Sequence, residues 1–200
     1  MKFISAIKPL VFIACLIPLA RLVWFSLHDG LGANPIEFIT RSTGTWTLTF
    51  LLITLSITPL RKLTRQPWLI QLRRMLGLYA FFYACLHFTT YIWLDQFFDL
   101  SAIYKDVLKR PFISIGFAGF VLLIPLALTS TNAIIKRLGG KNWQRLHRLV
   151  YLIAIGGAIH YWWLVKKDIT QPAIYAAVLA ALLGYRVAIW LRKNKENIGR

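Results

Sequence analysis

Residues 75–94 read MLGLYAFFYACLHFTTYIWL, twenty positions without a Lys, Arg, Asp or Glu. At about 1.5 Å of rise per residue such a helix is about 30 Å long, the thickness of the hydrocarbon core of a bilayer. Arg73-Arg74 precede it and Asp95 follows it. Working outward, comparable apolar stretches occur at 9–27, 42–60, 112–129, 149–165 and 172–191, the second and fifth of the six being short and the second rich in Thr. Lipid offers no partner to an unpaired backbone amide, so these spans are expected to be helices; no ten-residue alternation suggests a barrel. The expected fold is an all-α integral membrane protein: one six-transmembrane-helix bundle over residues 1–200. The first stretch continues past Arg21 to Leu27 without a small-residue cleavage site, so it reads as a retained helix, not a signal peptide.

Hydrophobic residues make up 58% of the 200 and charged ones 16%, against about 45–50% and about 25% in globular domains. A soluble chain of this length could not bury so much apolar surface. The net charge of +17 would suit nucleic acid only if it formed a continuous basic face. The basic residues instead cluster between apolar runs, so topology explains them and no nucleic-acid partner is expected. Placing both termini in the cytoplasm puts 17 of the 24 Lys and Arg inside, Lys2 and Arg200 among them, with Arg21, Arg41, Lys105, Lys109, Arg110, Lys166 and Lys167 outside. Of the acidic residues only Glu196 falls inside. Tryptophans favour the headgroup zone; Trp24, Trp46, Trp93, Trp162 and Trp163 lie near expected outer ends, and Trp68, Trp143 and Trp190 near inner ones. Cys15 and Cys85 sit in apolar runs with no CxxC or CxxCH, which argues against disulfides, zinc sites, iron–sulfur clusters and covalent haem.

An ionisable residue inside a span is expensive and marks function by default. His87 lies 13 positions beyond Arg74, and His160 lies 13 beyond His147. Both imidazoles therefore stand about 20 Å above the inner boundary. Two imidazoles at one depth on different helices are what axial coordination of a haem iron from both sides requires. The plainer alternative is that each histidine hydrogen-bonds a backbone group or a hydroxyl such as Thr89 or Thr90. His147, at the inner mouth of the fifth span, could serve a second haem or another redox group. Its counterpart on the third span is Arg74, a poor iron ligand but a good partner for a propionate or phosphate. Thirteen positions leave His147 and His160 roughly 140° apart on an ideal helix, and Gly156-Gly157 offers a place to bend.

Elsewhere the signals are weaker. His28, before Asp29-Gly30, reads as a loop residue. Arg21 and Arg186 either snorkel or pair with a cofactor anion, and Tyr79, Phe81, Phe82 and Tyr83 read as packing. No nucleotide-binding glycine motif, zincin motif or Ser-His-Asp spacing is present. Only nine residues follow Leu191, so no soluble flavin or nicotinamide domain is expected. Electrons would come from a membrane quinol or a separate reductase.

Several blocks resemble the MsrQ (YedZ) family: Arg73-Arg74-Met75-Leu76-Gly77-Leu78, Leu86-His87-Phe88-Thr89-Thr90-Tyr91, Ala127-Leu128-Thr129-Ser130-Thr131 and the run from Trp143 to Tyr151. So do Gly30-Leu31-Gly32-Ala33-Asn34-Pro35, Leu55-Ser56-Ile57-Thr58-Pro59-Leu60 and His160-Tyr161. The resemblance covers most of the chain and implies the haem-binding membrane subunit of a periplasmic methionine sulfoxide reductase system, within the ferric-reductase-like transmembrane group. It implies a bacterial inner-membrane protein carrying b-type haem, one or two, and FMN. Electrons from the quinone pool or a cytoplasmic flavin reductase would pass to a periplasmic molybdopterin subunit, MsrP, which repairs oxidised proteins. By position the family's haem histidines fall on His87, His147 and His160. The wider group pairs histidines at two levels; Arg74 stands where the second inner one would be. The chain itself would perform no sulfoxide chemistry.

Three other readings compete. A small transporter would use the in-span His and Arg residues as an ion path, although no paired broken helices or inverted repeat is evident. A passive anchor gives no reason for two imidazoles at matching depth. A stand-alone ferric or oxygen reductase would need the nucleotide domain that the sequence lacks.

Overall fold

The computed structural model describes residues 2–198, so Arg200 of the expected cytoplasmic set lies outside the described residues. Nine α-helices and no strands occur among them: α1 (Lys2–Leu27), α2 (Pro35–Thr64), α3 (Arg73–Thr90), α4 (Leu100–Lys109), α5 (Pro111–Leu128), α6 (Asn132–Leu138), α7 (Gly140–His147), α8 (Leu149–Leu164) and α9 (Thr170–Ile198). A 3₁₀ turn at Pro67–Gln71 leads into α3, and a π turn at Tyr91–Asp95 ends it.

Five segments are long and apolar enough to cross a membrane: Ile4–Leu27, Pro35–Thr64, Pro67–Asp95, Pro111–Leu128 and Thr170–Glu196. The stretch at 149–165 becomes α8, only 16 residues, or about 24 Å. It starts at Leu149 as expected, because a turn at Arg148 separates it from the polar α7, and it ends at Leu164. The break therefore falls at Arg148 and not at Gly156-Gly157, which stay inside unbroken helix. Those glycines serve close packing instead: a Cβ would meet Ile115 of α5 at 3.4 Å from Gly156, and Leu48 of α2 at 3.4 Å from Gly157. Small residues let membrane helices approach in this way.

The second span is longer than expected. Asn34 caps it by accepting the Glu37 amide, Pro35 occupies its first turn, and helix continues to Thr64. Asn34 and Pro35 are ordinary helix-start signals. Trp46 stands about three turns into this helix and packs against Phe50 and Tyr83, with ring centroids 5.8 and 6.4 Å away. Thr43, Thr47, Thr49 and Thr64 of α2 fold their hydroxyls onto the preceding turn, Thr47 onto the Thr43 carbonyl at 3.0 Å, so they stay tolerable in an apolar setting. The buried hydroxyls of Thr40 and Thr54, by contrast, make no hydrogen bond among the described residues.

The two most extensive helix contacts are α2 on α3 and α5 on α8, joined where α3 meets α5 and α2 meets α8. Leu55, Ala80, Tyr83 and Ala154 are buried at their junctions. Around them Leu10, Ile13, Ile17 and Leu128 point outward, exposed, the arrangement of a bundle whose solvent is lipid. Helix α1 is attached through Tyr83. Its hydroxyl accepts from the Leu19 amide at 3.1 Å and donates to the Cys15 carbonyl at 2.9 Å, the two groups an uninterrupted helix would pair. Pro18 stands beside this opening; a proline within a membrane helix is tolerated where a neighbour re-satisfies the freed backbone.

Candidate functional site

His87 projects from α3 and His160 from α8. Their ring centroids are 6.2 Å apart and the ring planes cross at 76°. Both residues are half-buried. The depth match of the sequence therefore becomes a meeting of the two rings.

Each ring is fixed by the helix beside it, and the two arrangements repeat each other. His87 Nδ1 lies 2.9 Å from the carbonyl oxygen of Thr40 on α2. His160 Nδ1 lies 2.6 Å from that of Phe112 on α5. A carbonyl only accepts, so Nδ1 carries the proton in both rings and Nε2 keeps its lone pair. One turn beyond each carbonyl stands a glycine. A Cβ on Gly44 would come within 3.0 Å of His87 Cε1, and one on Gly116 within 2.8 Å of His160 Cε1. Any larger residue would occupy the place of the imidazole.

Metal-ligating histidines characteristically donate their second ring N–H to a carbonyl or carboxylate, which sets tautomer and orientation. An imidazole–metal bond is about 2.0 Å, so two rings sharing one ion bring their centroids about 6 Å apart. The observed 6.2 Å separation matches that distance, and neither Nε2 makes a hydrogen bond among the described residues. Thr90 does not engage the His87 ring; its hydroxyl donates to the backbone carbonyl of His87 at 2.7 Å. Next to His87 in the chain, Phe88 stacks on Phe120 of α5 at 4.3 Å.

The other expected residues lie apart. His147 ends α7, its Nδ1 3.0 Å from the Trp143 carbonyl and its ring stacked 3.9 Å from the indole. Its Nε2 is buried and makes no hydrogen bond among the described residues. Burial pushes this imidazole below its usual pKa range, with the Trp143 and Leu126 carbonyls opposing and the Arg73 charge adding to the effect. Arg74 is exposed and donates to the Asn132 side chain, and among the described residues no hydrogen bond ties it to His147. The neighbouring Arg73 turns inward to half-burial. His28 lies past the end of α1, exposed and stacked on Trp24 at 3.8 Å, in agreement with its reading as a loop residue. Asp168 is exposed, and the Thr170 hydroxyl and amide hold its carboxyl below the usual carboxylate range.

Sequence reasoning reached the two histidines but not Gly44, Gly116, Thr40 or Phe112. The glycines left one trace, an unbranched position inside an apolar helix, and nothing in the sequence says which ring fills the gap.

The fold is that of a helical membrane protein with a pair of half-buried imidazoles set between two of its helices. Residues 42–158 match the family described as "Ferric reductase like transmembrane component". Over 197 residues the chain is 61% identical to the Protein-methionine-sulfoxide reductase heme-binding subunit MsrQ of Herminiimonas arsenicoxydans, covering 97% of this chain and 90% of that one. It is 55% identical to the MsrQ of Bordetella pertussis, over 96% of this chain and 94% of the relative, and 52% identical to that of Xanthomonas euvesicatoria pv. vesicatoria, over 92% and 87%. The chain belongs to the MsrQ family.

Proposed function

We propose that this chain is the electron-transfer subunit of a methionine sulfoxide reductase system in the bacterial inner membrane, with b-type haem held between His87 and His160. The observation that carries the reading is the duplicated support of the two rings: an Nδ1–H given to a carbonyl, a glycine beneath, and Nε2 left free. A transporter or an anchor would not need this pairing.

Six spans with both termini in the cytoplasm complete the proposal, α8 crossing as the short sixth member beside its longer neighbours. The histidines then lie toward the outer leaflet. When bound, haem supplies a one-electron couple, tuned by its axial ligands and by burial. The chain's own contribution is positional. Thr40 and Phe112 keep each Nδ1 protonated, so each Nε2 remains a ligand without a change of protonation. Gly44 and Gly116 allow the rings to approach, and the surrounding apolar helices hold water away.

A second haem is proposed at His147, whose buried Nε2 lacks a hydrogen-bond partner. Asn132 occupies Arg74, so that residue is proposed only as a contact for the edge of an inner group. FMN is proposed on the family resemblance alone, with no side chain assigned to it. A membrane quinol or a flavin reductase would reduce the subunit, and a periplasmic molybdopterin subunit, MsrP, would accept its electrons and perform the sulfoxide chemistry. The exposed segment from Asp95 to Arg110 is proposed as its landing surface.

Visible spectra of the purified protein, with extraction and quantification of haem and flavin, test the reading. A low-spin haem spectrum with at least one haem per chain is expected. A colourless, well-folded preparation from haem-replete cells would overturn it.

A further inference from the structure

An open-sided cavity lies on the bundle surface near its basic end, where α2, α3, α8 and α9 converge. Its volume is about 510 Å³, and Thr58, Arg73, Tyr151, Leu183, Arg186 and Val187 line it. Small-molecule sites commonly span about 300–1,000 Å³.

Two guanidiniums on different helices face this one space. Arg186 is held in place: it donates to the Leu182 carbonyl at 2.8 Å and to that of Leu55, and its guanidinium lies 5.3 Å from the Tyr151 ring centroid. Arg73 makes no hydrogen bond or ion pair among the described residues. No carboxylate pairs with either; the two ion pairs found among the described residues are Glu37–Arg41 and Asp106–Arg110. Both arginines are half-buried. Two like charges at one apolar site without a counter-charge are unfavourable, and intramembrane cations almost always find a partner.

We propose that this cavity binds a phosphate group, with Arg73 and Arg186 as its two cationic clamps and Thr58 and Tyr151 as hydroxyl donors beside them. A phosphate monoester presents three terminal oxygens and a lipid diester two, each accepting more than one hydrogen bond, so a single phosphate can take both guanidiniums and a hydroxyl. Depth agrees. Trp190, one turn further along α9, is exposed, as a tryptophan in the headgroup belt would be, and lipid phosphates lie at that level. The phosphate comes either from an anionic lipid head or from a soluble phosphate ester entering from the basic side. This site does not depend on the haem reading.

Two arms separate the sources. Native mass spectrometry of the detergent-purified protein compares retained phosphatidylglycerol with diacylglycerol, which has the same acyl chains and no phosphate. Fluorescence titration compares FMN with riboflavin, identical except for the phosphate. Each arm uses the wild type, Arg73→Gln, the double variant Arg73→Gln/Arg186→Gln, and a charge-matched control, Lys141→Gln/Arg192→Gln. Preference for the phosphate-bearing or anionic partner in one arm, falling about tenfold in Arg73→Gln with the control unchanged, supports the site and names its source. The single variant leaves the backbone contacts of Arg186 intact, so it remains informative if the double variant does not fold. Equal affinities within both pairs of ligands, or equal losses in Arg73→Gln and the control, overturn the proposal.

Discussion

Gly116 and His160 occupy one volume between them: a Cβ on the glycine would stand 2.8 Å from the imidazole Cε1. Gly116→Ala must therefore tilt the ring away from the Phe112 carbonyl. Haem content is expected to fall severalfold in this variant and, less steeply, in Gly44→Ala. Gly119→Ala is the control, because a Cβ there would meet nothing within 4 Å. Pyridine haemochrome assays of the purified variants check this, and equal loading in all three would remove the glycines from the site.

The 76° between the imidazole planes has a spectroscopic consequence. Crossed axial imidazoles give a ferric haem the highly anisotropic low-spin electron paramagnetic resonance signal, whereas parallel ones give a rhombic signal. The oxidised protein is expected to show the anisotropic form. A rhombic spectrum alone would mean that the rings rotate from the observed orientation when iron binds.

Tyr83 holds α1 through the amide of Leu19 and the carbonyl of Cys15. Tyr83→Phe leaves both groups without that partner in an apolar setting and should cost about 1–2 kcal/mol. Tyr104→Phe alters an exposed residue and should cost little. Denaturation midpoints in mixed micelles measure the difference; identical midpoints would show that the opening beside Pro18 is satisfied in another way.

The segment between α3 and α4 presents Phe97 and Phe98 outward, both with left-handed backbone, φ 47° and 61°, and both exposed. Aromatic residues seldom adopt that conformation without compensation. A photocrosslinking residue at Phe98 is expected to capture the periplasmic molybdopterin subunit, and one at Lys141 is not. Capture only at Lys141 would reverse either the topology or the docking face.

The apolar stretches and the histidine pair are legible in the sequence because each is local: a run of twenty uncharged residues, or a position counted from a basic boundary. The 13-residue spacing of His87 from Arg74 and of His160 from His147 points to a shared depth, and the two rings meet even though Arg148 breaks the helix between the latter two. What stays hidden depends on which helices neighbour each other. Gly44 belongs to His87 only because α2 packs on α3, and Gly116 to His160 only because α5 packs on α8. Arg73 and Arg74 are adjacent in the chain, yet a helix turns them about 100° apart, one into a cavity and one toward Asn132. The short helices α4, α6 and α7 carry too few apolar positions to stand out beside the spans.

The central claim is that His87 and His160 hold one haem from its two faces. Its most direct test is the visible and magnetic circular dichroism spectrum of His87→Ala and of His160→Ala beside wild type, each normalised to folded protein. Loss of the bis-imidazole low-spin signature in both variants, with any His147-dependent signal retained, is the predicted result. Spectra unchanged from wild type in both variants would contradict the account.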